Sequence, residues 1–238
     1  MNGRDDSGAG AAGKAWHRVR HTRPLASTFR AVLASAAMAT QEERSAASLA
    51  KLMDAARPLF RTQGYAATSV DDITRAALLT KGAFYHHFTD KKAIFHAVFE
   101  EAEHQLQADI RAACAADDAW TMLKSGCLAF LDITLDPGVQ RLLLREGPSV
   151  LGWDVWRDVC ARHSLGLISG GIRAAIKAGQ IRPRPTEPLA ATIYGALTEA
   201  ARYLAELDDP AAALPGIRSE IELMLEALRA QPKDSSAA

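Results

Sequence analysis

The sequence predicts an all-α protein: a short N-terminal module of three helices with a tight turn, then a larger helical domain. Two observations point there. From Ser45 almost to the C-terminus, apolar residues recur at three- and four-residue intervals, the signature of one helical face. No stretch alternates apolar and polar residues, and no hairpin turn signal stands between apolar runs. A third feature bears on function: "LLTKGAFYHHFTDKKAIF", Leu78 to Phe95, crowds lysines, aromatics and two adjacent histidines between short helical stretches.

The elements follow in order. Leu49, Leu52, Met53, Ala56 and Phe60 share one helical face. Gln63-Gly64 ends that helix, and Pro58 inside it predicts a kink or a late start. Thr68 followed by Asp71 reads as a capping box opening a second helix through Val70, Ile73 and Ala77. After "LLT" a third helix opens at Thr80. Asp90 opens a long fourth helix striped by Phe95, Val98, Phe99, Ala102, Leu106 and Ile110. Helical segments near 119–135, 138–150 and 153–179 come next, punctuated by Pro137-Gly138 and Gly147-Pro148. "RPRPTEP" (182–188) reads as a linker. Two last helices, about 186–208 and 214–229, carry apolar seams spaced like those of a helix bundle.

The resulting division is 1–44 as a disordered extension, 45–92 as the three-helix module, 93–231 as the helical domain and 232–238 as a flexible tail. Within the extension, 18–39 partly imitates a signal peptide, but Arg30 interrupts its apolar part. Met38 is an alternative point at which synthesis could begin.

The 238-residue chain carries no net charge, but its charge is unevenly placed. Residues 46–92 hold seven basic and four acidic side chains, whereas 93–238 hold fourteen and twenty. A basic front and an acidic back suit a front that meets an anion. The cysteines, Cys114, Cys127 and Cys160, are odd in number and far apart, which argues against a disulfide framework or a zinc site and for reduced thiols in a cytoplasm. No apolar run reaches the roughly 18 residues of a membrane span.

The third helix has the contents of a groove-reading element. Gly82 lets the backbone approach closely, Thr80 and Lys81 offer a hydroxyl and a charge, and Tyr85, His86 and His87 are amphipathic donors. Lys91 adds a second cation, while Phe84 and Phe88 face inward. Adjacent helical histidines point about 100° apart, so a shared metal ion is disfavoured; neither metal nor cofactor is expected. The alternatives are that Tyr85 is a packing residue and that the lysines are plain solvated charges.

The stretch "FRTQGYAATSVDDITRAALLTKGAFYHHFTDKKAIFHAVF" resembles the DNA-binding domain of TetR-family (tetracycline repressor-like) transcription regulators. The match spans about 46–100 and rests on Gly64-Tyr65, Thr68-Ser69, Ile73, Lys81-Gly82, Phe84-Tyr85, His87-Phe88 and Lys91 at the family's spacing. The resemblance implies a homodimer of all-helical chains, with Ser69, Thr80, Lys81, Gly82, Tyr85, His87 and Lys91 at DNA-contacting positions and His86 facing DNA in the same frame. With Thr68 and Ala83 these complete the candidate DNA-binding set. Where the family usually has Ala-Gly-Val-Ser, this chain has "AALLT", so Leu78 must take a left-handed turn.

The larger domain then becomes a ligand-binding and dimerisation domain. Its two C-terminal helices are the expected dimer interface, unless their seams pack only within one chain. Trp120, Cys127, Phe130, Trp153, Trp156 and Cys160 are apolar candidates for an effector pocket, with Glu146 and His163 as polar ones; all could instead be ordinary core or surface. A small apolar or aromatic effector would act through the fourth helix and release the operator. Control by a protein partner, or activation rather than repression, are the alternatives. The chain carries no G-x-S-x-G, H-E-x-x-H or phosphate-loop motif, so an enzyme is not expected.

Overall fold

The computed structural model describes residues 25–114 and 118–230, with side chains from residue 40 onward. The chain divides into two units, Met1–Ala46 and Ala47–Ala238. In the first, the expected irregular extension falls outside the described residues as far as residue 24. From Leu25 the backbone is helical instead, in keeping with the high helix propensity of its alanine-rich run. The expected tail, 232–238, also lies outside them.

The second unit is all-helical, as predicted. Helix α1 (Leu25–Thr62) runs unbroken through Pro58. Then come α2 (Val70–Ala76) and α3 (Lys81–His87), each too short to persist alone, and the long α4 (Lys91–Ala113). Leu52, Ala56 and Phe60 of α1, Ile73 of α2, Phe84 of α3 and Phe95 of α4 meet with no exposed surface. At about 1.5–3 kcal/mol for each large apolar side chain buried, this shared core is what orders the two short helices. Phe95 stands edge-on to both Phe60 and Tyr65, each at 5.1 Å.

The second helix starts one residue later than the sequence pattern suggested. Ser69, not Thr68, is its N-cap: Ser69 accepts from the Asp72 amide, and Asp72 reaches back to the Ser69 amide at 3.0 Å. At its other end, the Leu79 amide bonds the Thr74 carbonyl at 2.9 Å and the Leu78 amide bonds Arg75 at 3.2 Å. This doubled closure requires a left-handed residue. Leu78 takes it at φ 54°, the only non-glycine in that region among the described residues, with its side chain 91% exposed.

The larger domain contains α5 (Ala119–Ile133), a three-residue turn α6 (Pro137–Val139), a π-helix (Gln140–Leu151), α7 (Trp153–Arg162), α8 (Ser164–Lys177), α9 (Thr186–Leu204) and α10 (Pro210–Glu226). Two differences from expectation have local causes. The segment 138–150 winds as a π-helix, with Pro148, which has no amide hydrogen, inside it. The single helix expected over 153–179 breaks at His163, whose φ −104° and ψ −89° are not helical. Helix α9 begins at Thr186, where its seam placed it, so the 182–188 linker gives up its last residues to the helix; Pro188 sits in the first turn, where its missing amide donor is no loss. Helix α8 packs between α5 and α9, α4 crosses α5, and α10 covers α5 and α9.

Relieving the one strained turn should be measurable. Leu78→Gly removes a left-handed leucine and an exposed apolar side chain, and is expected to raise unfolding stability by about 1 kcal/mol in urea titrations. A loss of stability would show that the leucine side chain has a packing role in this turn.

Candidate functional site

Helix α3 is presented outward by two fixed points. Phe84 is buried against the core, and Thr80 caps the start, accepting from the Ala83 amide at 3.2 Å. The opposite face then carries Lys81, Gly82, Tyr85 and His86, all exposed, with Ala83 half-buried between them. Tyr85 is 57% exposed, its ring standing edge-on to Phe84 at 5.3 Å. Ser69 and Thr80, one at the start of each short helix, are exposed beside this face. Lys81 pairs with Asp71 at 2.7 Å, and hydrogen bonding to that carboxylate holds the ammonium above its usual pKa. To meet a phosphate, Lys81 must exchange one anion for another.

Three other members of the sequence-derived set have inward roles. Thr68 is wholly buried and its hydroxyl donates to the Gly64 carbonyl at 2.7 Å, so it offers no atom to an outside partner. This is the physical consequence of the one-residue shift in the cap. The Lys91 ammonium donates to the Tyr65 and Thr68 carbonyls at 2.7 and 2.8 Å and lies 4.1 Å over the Tyr65 ring. It therefore clamps the loop leading into α2. His87 is half-buried, with Nε2 2.6 Å from the Ser48 hydroxyl of α1. Burial, with His86 alongside, lowers its pKa and favours the neutral ring.

A cavity of about 500 Å³ lies among α4, α5, α8 and α9. Cys127 and Phe130 line it; the remaining sequence-derived ligand candidates do not. Trp120 is buried elsewhere, its indole nitrogen 3.4 Å from Glu226. Trp153 is 60% exposed and rests on Trp156 at 4.9 Å, while Trp156 donates to the Leu143 carbonyl. His163 stacks edge-on against His104. Glu146 points the other way altogether and accepts from the Tyr65 amide at 2.8 Å. It belongs to a joint in which Arg141 donates to the Arg61 and Thr62 carbonyls and Arg61 pairs with Asp136 at 2.9 Å. The π-helix is thereby tied to the end of α1.

What opens the cavity is the absence of side chains rather than the presence of large ones. Gly126, Gly166, Gly170 and Gly171 all line it, and a Cβ on Gly170 would meet nothing within 4 Å. The "SGG" of α8 was the available sequence signal. Ile110 and Arg111 bring the last turns of α4 to the same wall.

Beside this wall sits a buried polar cluster. Glu103 of α4 is only 2% exposed; it accepts from Ser164 at 2.7 Å and lies 3.7 Å from the Cys160 thiol. Burial pushes its pKa up, against the lowering pull of the two hydrogen bonds. Burial also pushes the Cys127 and Cys160 thiols up to about 12, so both are protonated and unreactive at neutral pH. Tyr194 is raised well above its usual value, first by burial and then by the nearby Glu103 charge. Among the described residues, no group of three or more His, Cys, Asp or Glu is placed to hold a metal ion, and no helix is long and apolar enough to cross a membrane.

Two measurements probe these buried charges. Lys91→Met leaves two loop carbonyls without their cation and should lower unfolding stability by about 2 kcal/mol in chemical denaturation; an unchanged midpoint would mean that water replaces the ammonium freely. For Glu103 the raised pKa fixes the sign. Its favourable contribution is complete below the ordinary glutamate value of about 4.3 and is lost as pH rises through the higher folded-state value. Thermal melts should therefore show Glu103→Gln gaining on the wild type as pH rises from about 5 to about 8. A pH-independent gap would contradict this.

Comparison with known proteins agrees with this geometry. Residues 52–98 match the family described as bacterial regulatory proteins, tetR family, and residues 120–228 match the tetracyclin repressor-like C-terminal domain. The HTH-type transcriptional regulator CymR of Pseudomonas putida is 35% identical, the match covering 53% of this chain and 71% of that protein. The transposon Tn10 TetC protein of Escherichia coli is 28% identical over 65% of this chain and 79% of its own length. A solved TetR-family transcriptional regulator from Pectobacterium atrosepticum superposes with a TM-score of 0.68 at 36% identity, covering 82% of this chain and 98% of that one. With its outward third helix, its helical C-terminal domain and these relatives, the chain belongs to the TetR family of DNA-binding transcriptional regulators.

Proposed function

We propose that the protein is a cytoplasmic repressor that binds a near-palindromic operator as a homodimer and leaves it when a small apolar or aromatic effector fills the cavity among α4, α5, α8 and α9. The observation that carries this reading is the course of α4. Its first residue, Lys91, clamps the loop before α2, and its last turns, through Ile110 and Arg111, line the cavity wall. A helix of 23 residues spans roughly 34 Å, so a displacement at the cavity reaches the DNA-facing module through one stiff element. An effector works this way only by binding the two arrangements with different affinity.

The working division is 45–92 for DNA contact and 93–231 for effector and dimer. The DNA-facing set is Ser69, Thr80, Lys81, Gly82, Ala83, Tyr85 and His86. Dimerisation through α9 and α10 is supported by the large apolar side chains of Tyr203 and Leu223, which are exposed on those two helices. Two recognition helices would then address major grooves about 34 Å apart.

The test is binding of the purified protein to its own upstream DNA. Tyr85→Ala and Lys81→Ala should each weaken binding about tenfold without unfolding the protein, and Lys81→Ala should reduce the salt slope by about 1. Asp71→Asn should tighten binding a few-fold, because it frees Lys81 and removes a like charge facing phosphate. Normal binding by both alanine variants would refute the assignment of α3. Gly170→Phe should keep DNA binding while abolishing release by any effector found in a thermal-shift screen; release that survives the substitution would place the effector elsewhere.

A further inference from the structure

We propose that the cavity selects an apolar amine, seating its ammonium group against the Ser164 hydroxyl with the Glu103 carboxylate directly behind it. This deepens the effector reading above and rests on it.

Ser164 and Tyr194 both line the cavity. The Ser164 hydroxyl spends its proton on Glu103, at 2.7 Å. The Cys160 thiol lies 3.7 Å from the other Glu103 oxygen. With Glu103 ionised, the protons of this cluster run inward: thiol to carboxylate and serine to carboxylate. A hydroxyl whose proton is used inward presents only lone pairs outward. The polar end of the cavity is therefore an acceptor surface backed by a negative charge, and a ligand group that meets it must be a donor.

Glu103 is 2% exposed and has no ion pair among the described residues. A buried carboxylate without a counter-charge is unfavourable, and a cation brought in by a ligand supplies what the protein does not. A carboxylate ligand would instead meet lone pairs and a like charge. One basic residue touches the cavity: Arg111, eight residues further along α4, or roughly 12 Å. It is exposed, so its charge is screened by solvent. The rest of the wall (Leu123, Phe130, Leu167, Leu197) is apolar and suits a hydrocarbon or aromatic body. Because Glu103 sits within α4, the charged end of the ligand would pull on the helix that reaches the DNA-facing module.

The experiment is isothermal titration of the full-length protein with a matched trio: phenylbutylamine, phenylbutanol and phenylbutyrate. The amine is expected to bind at least about tenfold more tightly than the other two. In Glu103→Gln the amine's advantage should shrink to within about twofold, and in Ser164→Ala it should fall by a similar amount. Gly170→Phe should abolish binding of all three, which places them in the cavity. Tightest binding by the butyrate, as Arg111 would favour, or by the alcohol overturns this inference while leaving an effector cavity standing. An amine preference that persists in Glu103→Gln also overturns it. If none of the three binds the wild type, both this inference and the cavity reading fall. Should Glu103→Gln fail to fold, the order within the wild-type trio, with the Ser164→Ala result, decides.

Discussion

The arrangement of the DNA-facing module depends on one cation. The Lys91 ammonium gathers the Tyr65 and Thr68 carbonyls and the face of the Tyr65 ring, three groups from a loop with no regular structure of its own. That loop delivers the chain into Ser69, the cap of α2, and α2 in turn sets the turn that aims α3. Both short helices are below the length at which helices persist in water, so their orientation is inherited from what holds their ends. The clamp is the first residue of α4, which makes the long helix and the outward helix parts of one mechanical body.

From the other side, the π-helix closes on the same region. Glu146 takes the Tyr65 amide, and Arg141 takes the last carbonyls of α1. A Cβ on Gly147 would press into Phe99 of α4 and Trp156 of α7, so only glycine lets the π-helix lie this close. Tyr65 is thus held at its carbonyl and ring by Lys91 and at its amide by Glu146, between α4 and the π-helix.

Helical periodicity made the fold legible, because an apolar stripe that must be buried leaves few other choices for a chain of this pattern. The outward face of α3 was legible for the same reason: once Phe84 and Phe88 point in, Lys81, Tyr85 and His86 must point out. What periodicity does not encode is which of two neighbouring hydroxyls caps a helix. Thr68 and Ser69 are both good caps, and only the burial of Thr68 decides between them. Nor does it separate a lysine aimed at solvent from one folded back on carbonyls, as Lys91 is. Most of the lining of the cavity was missed for a related reason. Large aromatics draw attention, yet Trp120 and Trp156 fill space, whereas the glycines of α5 and α8 leave it. Glu103 was overlooked because a carboxylate in an amphipathic helix reads as surface until its neighbours are known.

The three thiols differ in a way that has practical value. Cys127 and Cys160 are sealed and protonated, and neither will yield readily to an alkylating reagent. Cys114, at the end of α4, is half-buried and borders the cavity. A maleimide label added to the unaltered sequence will therefore favour the one thiol that is not buried, from which occupancy of that hollow can be read by fluorescence.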